Sequence, residues 1–440
     1  MVTSGNGRTI DREMWRLALP ALGALLAEPL FLIADSAIVG HLGTAELAGL
    51  SVASAVLLNA VMLCIFLAYG TAATVARRAG AGDVRAALTQ GIDGIWLAIA
   101  IGIALLVVGF PLAPALVDLF GTSAEATPHA VVYLRISLLG VPSMLVVLAA
   151  TGVMRGLKNT RTPLLAVAVA AAANVVLNLL LVYPAGLGVA GSALGTVLAQ
   201  TGAAVWLAAV VVRDARAQGA PLRPDRAGVL AAATAGIPLL ARTALLRLTL
   251  LWMTFVATAQ GDVSLASHQI AYTLWFLLST APEAFAIAGQ AMVGHALGAS
   301  DRAGARSIAG RAIAWGLGTG LAVAVLLVVL RAAYVPLFTA DIAVQDLVWS
   351  LAVVVAATQP VGATVYVLDA VLIAAGDGRY LAVTMFAAFA VFLPLAALVL
   401  ATDAGVVALW WALVAWLLAR LVTITWRYRS GAWLRVGATV

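Results

Sequence analysis

Twelve stretches of this chain are apolar over at least the ~20 residues an α-helix needs to cross about 30 Å of hydrocarbon. They run over 14–39, 47–76, 85–109, 129–153, 163–183, 188–212, 229–257, 264–297, 307–331, 346–374, 380–401 and 405–426. Such runs predict an all-α integral membrane protein with twelve transmembrane helices. Composition agrees: 64% of residues are hydrophobic and 10% charged, with a mean hydropathy of +1.07, whereas soluble domains are about 25% charged. Too little polar surface exists to cover a soluble fold. The first run follows Arg12 and Arg16 but is longer than the 7–15 residues of a signal peptide's apolar region, so it reads as a retained span. The one cysteine, Cys64, excludes an internal disulfide.

The net charge of +6 records topology. Of the 25 basic residues all but Lys158 are arginine. They gather in alternate loops: Arg8, Arg12 and Arg16; Arg77, Arg78 and Arg85; Arg155, Lys158 and Arg161; Arg213, Arg216, Arg223 and Arg226; Arg302, Arg306 and Arg311; Arg379; and Arg427, Arg429 and Arg435. The intervening loops carry acidic groups such as Glu46, Asp118, Glu125, Asp262 and Asp403. By the positive-inside rule both termini face the cytoplasm, in the cell membrane, and no nucleic-acid partner is expected.

The halves repeat. At an offset of 218, Pro20 falls on Pro238, Gly43 on Gly261, Gly80 on Gly298, Asp83 on Asp301, Gly102 on Gly320, Phe120 on Phe338, Pro142 on Pro360 and Arg161 on Arg379. The joint is the polar Arg213–Arg226 stretch with Gly219, Pro221 and Pro224. The expected organisation is a first lobe of residues 1–213, a linker at 214–227 and a second lobe of 228–440. Six spans per lobe give both lobes one orientation, related by an axis along the membrane normal. Folds of this kind place substrate sites near the midplane.

Polar residues inside the spans point to transport. Glu28 and Asp35 lie seven residues apart, on one helix face and roughly 10 Å apart. An Asp at the bilayer centre costs on the order of 2.5–3.5 kcal/mol by insertion scales, and ion or proton handling is the usual compensation. Asn174 and Asn178, at i and i+4, share a face in the fifth span, and Thr196 adds a hydroxyl in the sixth. This oxygen set suits Na⁺ or a shared proton; the asparagines alone also fit a structural role between helices. Pro20 and Pro29 mark places where the first helix can bend.

The second half lacks the carboxylate pair, since Leu246 and Met253 occupy the equivalent positions. It holds Arg242, Arg247, Glu283 and Asp369 instead. Arginine–carboxylate pairing would neutralise these inside the bundle, while substrate contact is the alternative. Trp252, Tyr272, Trp275 and Phe276 lie in the same half as Glu283; they fit either a site for a lipophilic cation or plain packing. Asp93 and Arg135 are isolated and receive no role. The histidines show no metal-ligand spacing, and no phosphate loop, nucleophile elbow or zinc motif is present.

The segment LALPALGALLAEPLFLIADSAIVGHLGTAELAGL, from Leu17 to Leu50, resembles the signature of the multidrug and toxic compound extrusion (MATE) transporters, in their DinF-like branch. SHQIAYTLW from Ser267, APEAFAIAGQAMVGHALGASD from Ala281 and LDAVLIAAGDGRYLA from Leu368 carry the same resemblance, which extends over nearly the whole chain. It implies two six-helix lobes around a V-shaped cavity, and export of lipophilic or cationic organic compounds in exchange for H⁺ or Na⁺. On the matching positions, Asp35, Asn174, Asn178 and Thr196 resemble the family's cation site in the first lobe. Several prokaryotic members carry Asp where this chain has Asn178; the change weakens a Na⁺ site and favours H⁺. The resulting expectation is a proton-driven antiporter, monomeric, surrounded by membrane lipid, without a cofactor and not an enzyme. A flippase for lipid-linked precursors, with Arg135, Arg242 and Arg247 facing an anionic cargo, is the alternative, and an integral-membrane enzyme the remote one.

Overall fold

The computed structural model describes residues 7–438; of Glu28 it describes the backbone alone. Fourteen α-helices follow one another: α1 (Gly7–Gly40), α2 (Thr44–Leu63), α3 (Phe66–Gly80), α4 (Val84–Asp118), α5 (Ala126–Gly156), α6 (Arg161–Val182), α7 (Gly188–Ala217), α8 (Arg226–Ala259), α9 (Asp262–Gly298), α10 (Arg302–Val329), α11 (Arg331–Phe338), α12 (Ile342–Ala374), α13 (Gly378–Thr402) and α14 (Gly405–Arg429). Twelve spans result, because α2 and α3 form one span and α11 is too short to cross. The chain is a multi-pass membrane protein.

The second span differs from the expected single helix over 47–76. It breaks at Cys64 and Ile65, whose N–H groups reach Val61 and Met62 carbonyls at 2.9 and 3.2 Å, one residue tighter than α-helical pairing. The joint is shorter than 214–227: α7 runs on to Ala217, with Arg213 paired to Asp214 at 2.9 Å, and α8 starts at Arg226.

The repeat governs local structure as well as sequence. Asp83 caps α4 by accepting the Ala86 N–H at 2.8 Å, and Asp301, 218 residues on, caps α10 by accepting the Gly304 N–H at 2.7 Å. Gly102 lies against Pro142 and Gly320 against Pro360; an added Cβ would come within 2.5 Å and 3.0 Å of the respective proline Cα atoms. At both sites only glycine lets the two helix backbones approach so closely.

The described chain divides into two compact units, Gly23–Gly236 and Met1–Leu22 with Ile237–Val440. In the first, α5 is the central helix, packed against α2, α3, α4 and α7. In the second its repeat equivalent, α12, packs against α9, α10 and α14. The core of the second unit gathers Met253, Trp275, Phe392, Trp410 and Trp416. Large apolar residues such as Leu30, Val107, Val205, Leu251 and Val422 are exposed along the spans, as helices facing hydrocarbon require.

Candidate ion-coupling site

Four helices of the Gly23–Gly236 unit converge on Asp35, which is 2% exposed. From α6, Asn178 Nδ2 donates to Asp35 Oδ1 at 2.6 Å. From α7, the Ser192 hydroxyl donates to the same oxygen at 2.6 Å. From α5, the Tyr133 hydroxyl donates to Asp35 Oδ2 at 3.0 Å. All three donors are neutral. The amide of Asn178 also donates to Asn174 Oδ1 at 3.2 Å, and Asn174 Nδ2 to Thr196 Oγ1 at 3.1 Å. The Thr196 hydroxyl in turn donates to the Ser192 carbonyl at 3.1 Å. Each member is buried.

Helical spacing explains the convergence. Asn174 and Asn178 are one turn apart on α6, and Ser192 and Thr196 one turn apart on α7, so each helix offers two polar groups on one face. Gly195, between the latter two, abuts Asn178: a Cβ there would collide with Asn178 Oδ1. The Nδ2 bonds to Asp35 and Asn174 fix the amide in this orientation, and its carbonyl oxygen is left without a hydrogen-bond partner among the described residues. A buried carboxylate with three donors and, among the described residues, no cationic partner is stabilised by charge-assisted hydrogen bonds, each worth roughly 1.5–3 kcal/mol.

The structure therefore brings together Asp35, Asn174, Asn178 and Thr196. The sequence reading missed Tyr133 and Ser192. A signal for Ser192 existed in its one-turn spacing from Thr196; none marked Tyr133, since an isolated tyrosine in a span is ordinary. Glu28 lies on α1, its side chain outside the described residues. Pro20 and Pro29 both fall within α1, which runs through them without interruption.

The other unit builds a charged cluster. Asp369 on α12 pairs through Oδ2 with Arg242 of α8 and with Arg420 of α14. Arg420 is 1% exposed, and its guanidinium also lies 4.7 Å from the centre of the Trp416 ring. The expected pairing of Arg242 with a carboxylate is present, but Arg420, absent from the sequence reading, shares the carboxylate. Its signal was the bare presence of arginine within the last span. Arg247 meets the Tyr272 hydroxyl. Tyr366, bonded to Ser279, lies within electrostatic reach of Glu283, Asp369 and Arg420.

Tyr272, Trp275 and Phe276 precede Glu283 on α9 by seven to eleven residues, roughly 10–17 Å along the axis. Trp275 is packed in the core, 5% exposed, with Tyr272 at 6.1 Å from it and stacked on Phe276 at 6.3 Å. Trp252 packs against Phe255 at 5.3 Å. Arg135 lies over the Phe110 ring at 5.4 Å. Asp93, buried at 4% exposure, accepts the backbone N–H of Asp225 at 3.1 Å.

The family profile MatE matches residues 20–180 and again 238–398, two segments 218 residues apart. The chain belongs to the MatE family. Its members are membrane transporters, and the doubled match is the internal duplication seen in the sequence. Among relatives of this MatE chain is Protein DETOXIFICATION 44, chloroplastic, of Arabidopsis thaliana, 29% identical over 438 residues that cover 96% of this chain and 84% of that one. DNA damage-inducible protein F of Escherichia coli is 27% identical over 301 residues, covering 66% of this chain and 64% of the relative. The fold matches a multidrug resistance MATE family transporter solved in an outward-facing conformation, with a TM-score of 0.87, 21% identity and 97% of each chain covered.

Proposed function

We propose that this MatE transporter exports lipophilic or cationic organic compounds from the cytoplasm in exchange for protons, with Asp35 as the proton carrier. One observation carries the choice of ion: Asn178 turns an amide nitrogen, which has no lone pair to offer a cation, to Asp35 at 2.6 Å, beside the hydroxyls of Tyr133 and Ser192. A Na⁺ site needs several oxygen lone pairs aimed at one point. Here an amide nitrogen stands where a carboxylate oxygen would serve that purpose. A donor-lined carboxylate is instead suited to gaining and losing a proton. Ionised, it holds α1 against α5, α6 and α7; protonated, it keeps three donors facing a neutral group, and the charge-assisted part of each bond is lost. Protonation from outside then loosens the far half of α1, cargo is released outwards, and proton loss inwards restores the grip.

The orientation rests on the arginine-rich loops, which put both termini in the cytoplasm. Pairing of Arg242 with Asp369, and of Arg247 with Tyr272, weighs against the flippase reading, which needs these arginines turned towards an anionic cargo. The test is dye efflux from proteoliposomes under separately imposed H⁺ and Na⁺ gradients. The expected result is transport driven by the proton gradient alone and abolished by Asp35→Asn. Efflux driven by Na⁺, or unchanged in a correctly inserted Asp35→Asn protein, defeats the proposal.

A further inference from the structure

Helix α1 is held at two places 24 residues apart, about 36 Å along its axis. Near its start, Asp11 meets α10. Arg311 Nε donates to Asp11 Oδ1 at 2.8 Å, Arg311 Nη2 pairs with Oδ2, and Trp315 Nε1 donates to Oδ1 at 2.8 Å. One turn on, Trp15 packs edge-on against Phe285 at 4.9 Å and Trp315 at 5.1 Å. Met14, Leu17, Ala18 and Ala21 are buried on the same stretch. All these contacts fall inside the unit of Met1–Leu22 and Ile237–Val440. Asp35, at the far end, is held inside Gly23–Gly236 by Tyr133 from α5, Asn178 from α6 and Ser192 from α7. Between the two grips lie Pro20 and Pro29, which leave the carbonyls of Arg16 and Leu25 without helical donors.

The second half makes the first grip more than an incidental surface pair. Arg311 is the repeat equivalent of Asp93, at the offset of 218. Asp93 accepts the N–H of Asp225 at the start of α8, and Trp96 Nε1 donates to the Leu222 carbonyl at 3.0 Å. The same position on equivalent helices, α4 and α10, thus holds the leading end of a long helix twice, by opposite chemistry. In both cases a proline, Pro20 or Pro238, follows the held segment.

We infer that Asp11, Arg311 and Trp315 are positioning residues of the transport cycle: they fix the start of α1 so that release of Asp35 is taken up as bending at the prolines. A helix anchored at one end deforms where its backbone bonds are missing. A helix free at both ends shifts as a rod, and the event at Asp35 is not transmitted. The inference rests on Asp35 being the proton carrier, so the test separates the two. On a Cys64→Ala background, spin labels are placed through Arg12→Cys and Ile33→Cys, two exposed positions flanking the prolines. Their separation is followed against pH in the full-length protein in nanodiscs. In parallel, the infrared carboxyl band that disappears in Asp35→Asn is titrated, and dye efflux is measured.

In Arg311→Leu the Asp35 band should titrate as before, while the pH-dependent change in label separation vanishes and efflux falls by about tenfold. The charge-reversed pair Asp11→Arg with Arg311→Asp should restore both to the partial level of Trp315→Phe, because the Trp315 N–H loses its acceptor. Trp315→Phe keeps the aromatic packing, removes one donor and should give a partial loss; it carries the test where Arg311→Leu does not fold. Unchanged bending and efflux in Arg311→Leu and Trp315→Phe overturn the anchor while leaving Asp35 its role. A wild-type protein without a titrating Asp35 band overturns both.

Discussion

Asp35 has a set of partners that can be altered one at a time. Replacing Asn178 by Asp exchanges an amide donor for a second carboxylate facing the first, with Asn174 Oδ1 and the Thr196 hydroxyl beside it. Two carboxylates with neutral oxygens make a cation site. The Asn178→Asp protein should therefore gain stability with Na⁺, about 2.7 kcal/mol at a hundredfold excess over Kd, read as a rise in Tm against a choline control. The parent protein should show no such rise. Ser192→Ala removes one of two donors on Oδ1 and should cost about 1–3 kcal/mol of stability in denaturation of the purified protein. The sequence made Asp35, Asn174, Asn178 and Thr196 legible because a polar residue in an apolar run needs a reason. Tyr133 was not legible, because its ring is at home in a span and only its distance from Asp35 reveals what the hydroxyl does.

Between α6 and α7 the decisive residue has no side chain. Gly195 makes room for the Asn178 carbonyl, and any substituent there displaces the amide from Asp35. Gly195→Ala should thus abolish proton-driven efflux even where the protein inserts normally. Gly202→Ala, two turns on along the same helix with open space around its Cα, should transport as the parent does. Proteoliposome assays of the two variants side by side distinguish a local fit from a general intolerance of α7 to alanine. Helix existence was legible from the apolar runs and the match of Asp83 with Asp301 from the repeat, while their capping of α4 and α10 shows only in the structure. The break at Cys64 and Ile65 was not: no proline or glycine marks it.

Across the whole molecule the duplication keeps architecture and changes chemistry. The central helices α5 and α12 are equivalent, as are the close passages at Gly102 and Gly320. The polar clusters are unrelated: one carboxylate among neutral donors in the first unit, one carboxylate between two guanidinium groups in the second. Removing the shared partner takes from buried Arg420 and half-buried Arg242 the carboxylate that both of them pair with. Asp369→Asn should therefore destabilise the protein by about 3–5 kcal/mol, seen as a lowered Tm, while the folded fraction still responds to a proton gradient. The offset of 218 was readable because matched Pro, Gly and Asp residues recur without a gap. The grouping of residues up to Leu22 with Ile237 and beyond was not, since it depends on contacts made 300 residues away, such as Asp11 with Arg311.

A site with one described carboxylate also sets the electrical terms of exchange. In the proposed cycle a single proton enters per turn. When the departing cargo is a monovalent cation, the two charges cancel, and a membrane voltage worth ~2.3 kcal/mol per charge per 100 mV does no work on the exchange. When the cargo is neutral, each turn carries one positive charge inwards, and the voltage adds to the pH difference in driving expulsion. The negative charge of Asp35 decides which of its cargoes an energised membrane helps to remove, and which leave on the strength of acidity alone.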